Sequence, residues 1–207
     1  MRPIAIGFTL RRLAGKVAMA KLKDTLADLF QPHQLGVGTP KGAEIMVHAL
    51  RRYIEGNSNE SKAVLKIDFK NAFNCIRRDQ ILAKVKEQFP MLYPMIWQSY
   101  ANASNLYFNG DTIIQSREGV QQGDPLGPFL FSLGIADLTK SCSSEFSGWY
   151  LDDGTLAGNP DTVLADFQKI QEASDTLGLR VNPSKCEVFF TNNADQQNST
   201  ATLVSLK

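Results

Sequence analysis

Gly148-Trp-Tyr-Leu-Asp-Asp-Gly-Thr-Leu-Ala-Gly158 reads as a β-hairpin, two apolar arms meeting at Asp153-Gly154. Asp-Gly readily takes the positive φ angles of a tight turn. Upstream, Ala63-Val-Leu-Lys-Ile-Asp68 is a short apolar strand that ends in a carboxylate. Between them the spacing turns helical over 78 to 88 and 91 to 103, interrupted at Pro90. Leu106-Tyr-Phe-Asn-Gly-Asp-Thr-Ile-Ile114 is a second hairpin, with a type I′ turn expected at Asn109-Gly110. Gly119-Val-Gln-Gln-Gly-Asp-Pro-Leu-Gly-Pro128 leads into a helix with Asp124 as its N-cap and Pro125 at its first position. Leu126, Phe129, Leu130, Leu133 and Leu138 give that helix a broad apolar face. A further helix starts at Asn159-Pro160, carries the stripe Val163, Phe167, Ile170, Ser174 and Leu177, and stops at Gly178. Strand Leu179-Arg-Val, a turn at Asn182-Pro183 and strand Cys186-Glu-Val-Phe-Phe190 follow. The sum is an α+β layout, one mainly antiparallel sheet with helices on a face.

Toward the N-terminus, residues 2 to 9 read as a strand entering a basic helix with Leu10, Leu13, Val17 and Leu22 on one face. A Gly-rich loop, Gln34-Leu-Gly-Val-Gly-Thr-Pro-Lys-Gly42, comes next. Thr39 can cap and Pro40 begin a helix to Gly56 that buries Ile45, Ala49 and Ile54 with Val47 and Leu50. From Thr191 the chain is polar and expected to be disordered.

The composition narrows the function classes. With 22 Lys+Arg against 21 Asp+Glu, the net charge of +1 gives no surplus for gripping a long stretch of nucleic acid by this chain alone. No apolar run reaches the roughly 20 residues of a membrane span, and no signal peptide is visible. Cys75, Cys142 and Cys186 are scattered and form neither a disulfide framework nor a metal cluster, which fits an intracellular setting. The Gly36/Gly38/Lys41 loop lacks the order of a P-loop, and His33 and His48 have no metal-ligand partners nearby in sequence.

The informative residues are three carboxylates at strand ends. Asp68 closes an apolar strand, and Asp152-Asp153 sit at a hairpin tip. Each alone also reads as a cap or a turn. Together in a half-buried site they are costly unless protonated or bound to a cation. Mg²⁺ takes few carboxylates and leaves positions open for phosphates. If the two strands are neighbours, the carboxylates meet at one sheet edge, as a two-metal phosphoryl-transfer site requires.

In chain order, four segments resemble motif blocks of the reverse transcriptases of non-LTR (LINE-type) retrotransposons. They are Leu65-Lys-Ile-Asp-Phe-Lys-Asn-Ala-Phe-Asn74, Gly119-Val-Gln-Gln-Gly-Asp-Pro-Leu-Gly-Pro-Phe-Leu-Phe131, Tyr150-Leu-Asp-Asp153 and Leu177-Gly-Leu-Arg-Val-Asn-Pro-Ser-Lys-Cys-Glu187. Arg2-Pro-Ile4 and Gln34-Leu-Gly-Val-Gly-Thr-Pro-Lys-Gly42 resemble two finger blocks. The second palm block departs from the commoner pattern at Gln121, where Pro is usual, and at Gly127, where Ser is usual. The resemblance implies a polymerase palm, a ferredoxin- or RRM-like antiparallel sheet with helices on one face, over 63–190. It implies partial fingers over 1–62, with 191–207 as a disordered tail.

By the same resemblance, Asp68 and Asp152 ligate two Mg²⁺ ions (or Mn²⁺) with the carbonyl of Phe69, and Asp153 supports them. The reaction implied is attack of a primer 3′-hydroxyl on the α-phosphate of a dNTP, with an RNA template and a DNA primer as partners. Phe73 matches the bulky aromatic that excludes a ribose 2′-OH. Gln122 and Gly123 match the contacts to nucleotide and templating base. Arg2 matches an arginine that reaches the triphosphate, and Lys185 a lysine that protonates pyrophosphate. Arg11, Arg12, Lys16, Lys21 and Lys23 are candidates to line a template path. No thumb, outer finger strand, endonuclease or RNase H segment is recognisable, so a fragment of a longer polymerase is expected. The alternative is a catalytically inactive remnant that binds nucleic acid or protein. An RNA-directed RNA polymerase is disfavoured by Phe73, and a nuclease or phosphatase by the lack of a general base near the carboxylates.

Overall fold

The computed structural model describes residues 6–108 and 112–192. Helices α1 (Thr9–Phe30) and α2 (Gly42–Gly56) come first. They are followed by β1 (Ala63–Ile67), α3 (Ala72–Cys75), α4 (Arg78–Gln88), α5 (Tyr93–Tyr100) and the paired strands β2 (Ser104–Phe108) and β3 (Thr112–Ser116). Then come α6 (Gly127–Gly134), α7 (Ala136–Lys140), β4 (Phe146–Tyr150), β5 (Asp153–Gly158), α8 (Pro160–Thr176) and β6 (Glu187–Phe190). Arg2, the Asn109-Gly110 turn and the tail from residue 193 lie outside the described residues.

Strands β4, β5, β1 and β6 form a fully antiparallel sheet in that spatial order, which is the expected α+β layout. As an interior strand, β1 buries Ala63, Val64, Leu65 and Ile67, which accounts for its nearly continuous apolar run. Helix α8 packs on β1 and β5 through Val163, Phe167 and Ile170, and Gly178 ends that segment with φ 74° as expected. Helix α6 is buried all round, Phe131 and Ser132 as well as Phe129, Leu130 and Leu133, so its sequence shows no polar stripe. Its Phe129 meets Phe30 of α1 and Phe89 edge-on, joining the N-terminal helix to the same core.

Several local expectations are corrected. Residues 6 to 8 form no strand. Leu10, Leu13 and Val17 are 65%, 56% and 48% exposed, and α1 instead turns Gly15, Leu22, Leu26 and Phe30 inward. The helix approaches through its small residue: a β-carbon at position 15 would touch Leu126 and Pro125 at 3.5 Å. Helix α2 begins at Gly42, after Lys41 in a left-handed conformation, and the Thr39 hydroxyl accepts from Gln31 Nε2 instead of capping. It rests on β4 through Met46 and Tyr53 with Leu50 and Ile54 half-buried, leaving Ile45, Val47 and Ala49 exposed. Helix α6 starts at Gly127, and Asp124 tethers the turn before it by accepting from Leu126 N at 3.0 Å. Leu179-Arg-Val contributes a single bridge, Val181 to Phe69, in place of a strand.

The catalytic-looking hairpin turns two residues earlier than its Asp-Gly dipeptide indicates. Tyr150 pairs with Asp153, so Leu151 and Asp152 form the turn and Asp153 is already in β5. Gly154 serves packing: a β-carbon there would lie 2.5 Å from the ring of Trp149, its cross-strand partner.

Candidate active site

The register of β1 against β5 sets the positions of the acids. Ile67 pairs with Gly154, so Asp68 and Asp153 follow at the same sheet edge, with Asp152 beside them in the turn. Asp68 and Asp152 are half-buried and Asp153 is exposed. Asn182 fixes Asp68 twice, its backbone N–H donating to the Asp68 carbonyl (2.8 Å) and its Nδ2 to the Asp68 carboxylate (3.0 Å). Phe69 is buried and stacks on Trp149 at 6.1 Å. The bonds of its bridge to Val181 are made by Lys70 N–H and the Asp68 carbonyl, so the Phe69 carbonyl takes no part in that bridge.

The turn itself is strained. Leu151 has φ 56°, a conformation that costs a residue with a β-carbon about 1–2 kcal/mol. The buried carboxamide of Gln34 holds it, Nε2 donating to the Leu151 carbonyl (3.0 Å) and Oε1 accepting from Leu151 N–H (2.8 Å) and Gly36 N–H (3.0 Å). Backbone bonds flank the clamp: Leu35 N–H donates to the Trp149 carbonyl and Trp149 N–H to the His33 carbonyl. A β-carbon at position 36 would meet Leu151 at 2.8 Å, so the loop needs glycine to come this close.

A cleft of about 440 Å³ opens beside the acids, lined by Phe73, Gln121, Gln122, Gly123, Leu151 and Asp152 among others. Phe73 lies flat on Phe131, ring centroids 4.4 Å apart, and is part wall and part core. Gly123 has φ 105°, which a side chain would strain. The loop carrying Gln122 and Gly123 is braced by Arg78, which is buried. Its Nε donates to the Gly119 carbonyl, and its other nitrogens to Ser116 and the Glu118 carbonyl. Its guanidinium also sits 5.2 Å over the Tyr100 ring. Tyr100 donates to the Asp124 carboxylate at 2.6 Å, and Arg11 pairs with the same oxygen at 2.7 Å. Burial, and then the Asp124 charge, push the Tyr100 hydroxyl well above its ordinary value.

The structure thus gathers Asp68, Asp152 and Asp153 at one edge and sets Phe73, Gln122 and Gly123 in the cleft that Asp152 also lines. Lys185 is exposed in the turn after Asn182 and does not line that cleft. Arg11 is engaged with Asp124 instead of lying open to a template. Among the described residues no three His, Cys, Asp or Glu side chains form a metal cluster. The side chains at the edge are carboxylates, oxygen donors of the kind that suits a hard cation completed by substrate phosphates. Sequence reading passed over Gln34, Arg78, Tyr100 and Asn182. Gln34 and Asn182 lie inside segments already singled out, whereas nothing in the pattern marks Arg78 as buried.

Residues 1–203 match the family model described as reverse transcriptase (RNA-dependent DNA polymerase). The chain belongs to the reverse transcriptase family. Its relatives are polymerases of non-LTR retrotransposable elements. It is 27% identical over 208 residues to a probable RNA-directed DNA polymerase from transposon BS of Drosophila melanogaster, covering 89% of this chain and 23% of that protein. It is 29% identical over 198 residues to the retrotransposable element SLACS 132 kDa protein of Trypanosoma brucei gambiense, covering 91% and 16%. This reverse transcriptase chain therefore spans a quarter or less of those relatives. Its fold is similar to part of telomerase from Candida albicans, with a TM-score of 0.64 at 12% identity over 86% of this chain and 35% of that one. The reverse transcriptase family generally uses divalent metal. No helix among the described residues is long and apolar enough to cross a membrane.

Proposed function

We propose that this chain carries the polymerising centre of an RNA-directed DNA polymerase, extending a DNA primer on an RNA template with dNTPs. The observation that supports the reading is the β1–β5 register, in which Asp68 and Asp153 are neighbours at one sheet edge, beside Asp152, which lines the cleft. Asp68 and Asp152, with the Phe69 carbonyl, are the residues to hold two Mg²⁺ ions, and Asp153 adds charge beside them. Bound there, the ions supply activation of the primer hydroxyl and neutralisation of the triphosphate. A bond forms between the primer 3′-oxygen and the α-phosphorus, and the α–β phosphoanhydride bond breaks to release pyrophosphate. Phe73, stacked on Phe131, is the residue to exclude a 2′-hydroxyl, and its position in the cleft lining supports that role. Gln122 and Gly123 supply a polar wall and a close backbone approach for the nucleotide.

Primer extension on poly(rA)/oligo(dT) with Mg²⁺ or Mn²⁺ tests the reading. Extension by the wild-type chain should fall by roughly 100-fold or more in Asp152→Asn/Asp153→Asn, the scale of losing preorganised charge at a reacting centre. Phe73→Val should raise ribonucleotide use in the same assay. Extension that survives the double substitution would remove the proposed mechanism. A folded wild-type chain that extends nothing would favour the inactive-remnant reading.

A further inference from the structure

We propose that Gln34 is a positioning residue, holding Leu151 left-handed and so setting where Asp152 and Asp153 stand at the cleft. Three observations converge on it. Leu151 is at φ 56° with no glycine to relieve it. Gln34 is 1% exposed, and its carboxamide spends both ends on the turn, donating to the Leu151 carbonyl and accepting from Leu151 N–H. The loop around it is shaped for this contact, because Gly36 shares the same Oε1 and leaves no room for a β-carbon against Leu151.

Both bonds go to one peptide-bearing residue, so the amide fixes the orientation of the turn and not merely its distance. A carboxylate in its place would keep the acceptor, lose the donor and add a charge beside Asp152. A protonated carboxyl would restore the donor. A thioether of similar length would fill the space and make neither bond. The clamp also joins the segment before α2 to the β4–β5 hairpin, alongside the backbone bonds of His33 and Leu35 to Trp149.

The inference rests on the polymerase reading only where it concerns metal, and the test separates the two. In the full chain, Gln34→Met should lower hydrogen-exchange protection of the Leu151 amide by roughly 10-fold and displace the Asp152 and Asp153 amide shifts. Mn²⁺ affinity, measured directly without turnover, should weaken roughly 10-fold, as for other residues that orient metal ligands. Gln34→Glu keeps the acceptor for Leu151 N–H and loses the donor to the Leu151 carbonyl, so its Asp152 amide shift should depart from wild type near neutral pH and recover, relative to wild type at the same pH, as the pH is lowered and its carboxyl protonates. That recovery distinguishes a donor–acceptor clamp from packing, and it decides the matter if Gln34→Met does not fold. Unchanged Leu151 protection in Gln34→Met near neutral pH overturns the proposal, as do an unmoved Asp152 shift in Gln34→Glu or unchanged Mn²⁺ affinity in Gln34→Met. A wild-type chain that binds no Mn²⁺ overturns the polymerase reading instead, and the clamp is then judged on the amides.

Discussion

Leu151 and Gly123 line the same cleft, one from the β4–β5 turn and the other from the loop before α6, and different chemistry holds each. On the hairpin side the fastening is a neutral carboxamide and backbone bonds across to the loop at 33–36. On the loop side it is ionic and aromatic, with Arg78 under Gly119, and Arg11 and Tyr100 on Asp124. The difference follows from what each wall carries. A guanidinium beside Asp152 would pair with the carboxylate and compete with any cation it holds. A carboxamide supplies the same geometric control and no charge. The loop carries Gln122 and Gly123, which need placement but no free charge, so ion pairs can brace it.

Removing the brace on the loop side should have the larger effect. Arg78→Ala strips donors from the carbonyls of Ser116, Glu118 and Gly119 and the cation from the Tyr100 face. It should cost about 3 kcal/mol in urea unfolding, because buried acceptors are left without partners. If the walls are independent, Leu151 protection in this variant stays as in the wild type, and its cost adds to that of Gln34→Met. Loss of Leu151 protection would show that the brace and the clamp are one unit.

A smaller effect is expected from overpacking the hairpin side. The methyl of Gly154→Ala would drive into the Trp149 ring, which stacks on Phe69 next to Asp68. About 2 kcal/mol is the expected loss in thermal or urea denaturation. The perturbation should move the Asp68 and Asp153 amides and leave Gly123 undisturbed. Equal shifts on both sides of the cleft would contradict separate fastening.

What could be read in the sequence follows the same division. The apolar run of β1, the apolar residues of α6 and the stripe of α8 were legible because burial selects apolar residues within each element itself. The turn position was misread because Gly154 carries two signals, positive φ and lack of a β-carbon, and the second is the one used. The face of α1 was misread because Gly15 gives close approach without adding to any apolar stripe. Gln34, Arg78 and Tyr100 act through partners 117, 41 and 24 residues away, and no local pattern records such pairings.

The finest distinction between the walls is their response to alkali. Tyr100 is buried against the Asp124 carboxylate, and both raise its hydroxyl above the ordinary 10.0. In the unfolded chain the proton leaves near that ordinary value, whereas in the folded chain it is retained to higher pH. The stabilisation is therefore complete below pH 10 and is lost as pH rises toward the folded value. Tyr53 gives a second window: burial and its bond to Glu145 push its hydroxyl up to about 12, and it lies outside the cleft on α2. Tyr100→Phe should flatten the fall in stability above pH 10 by up to one proton, measured by urea unfolding at successive pH values. Tyr53→Phe should remove a comparable slope confined to roughly pH 10–12. Only the first substitution should alter the pH dependence of the Gln122 and Gly123 amides, because only Tyr100 is tied through Asp124 to that loop. A Tyr53→Phe chain that moved those amides equally would mean that alkali loosens the fold as a whole, and the loop side would lose its claim to a separate ionic fastening.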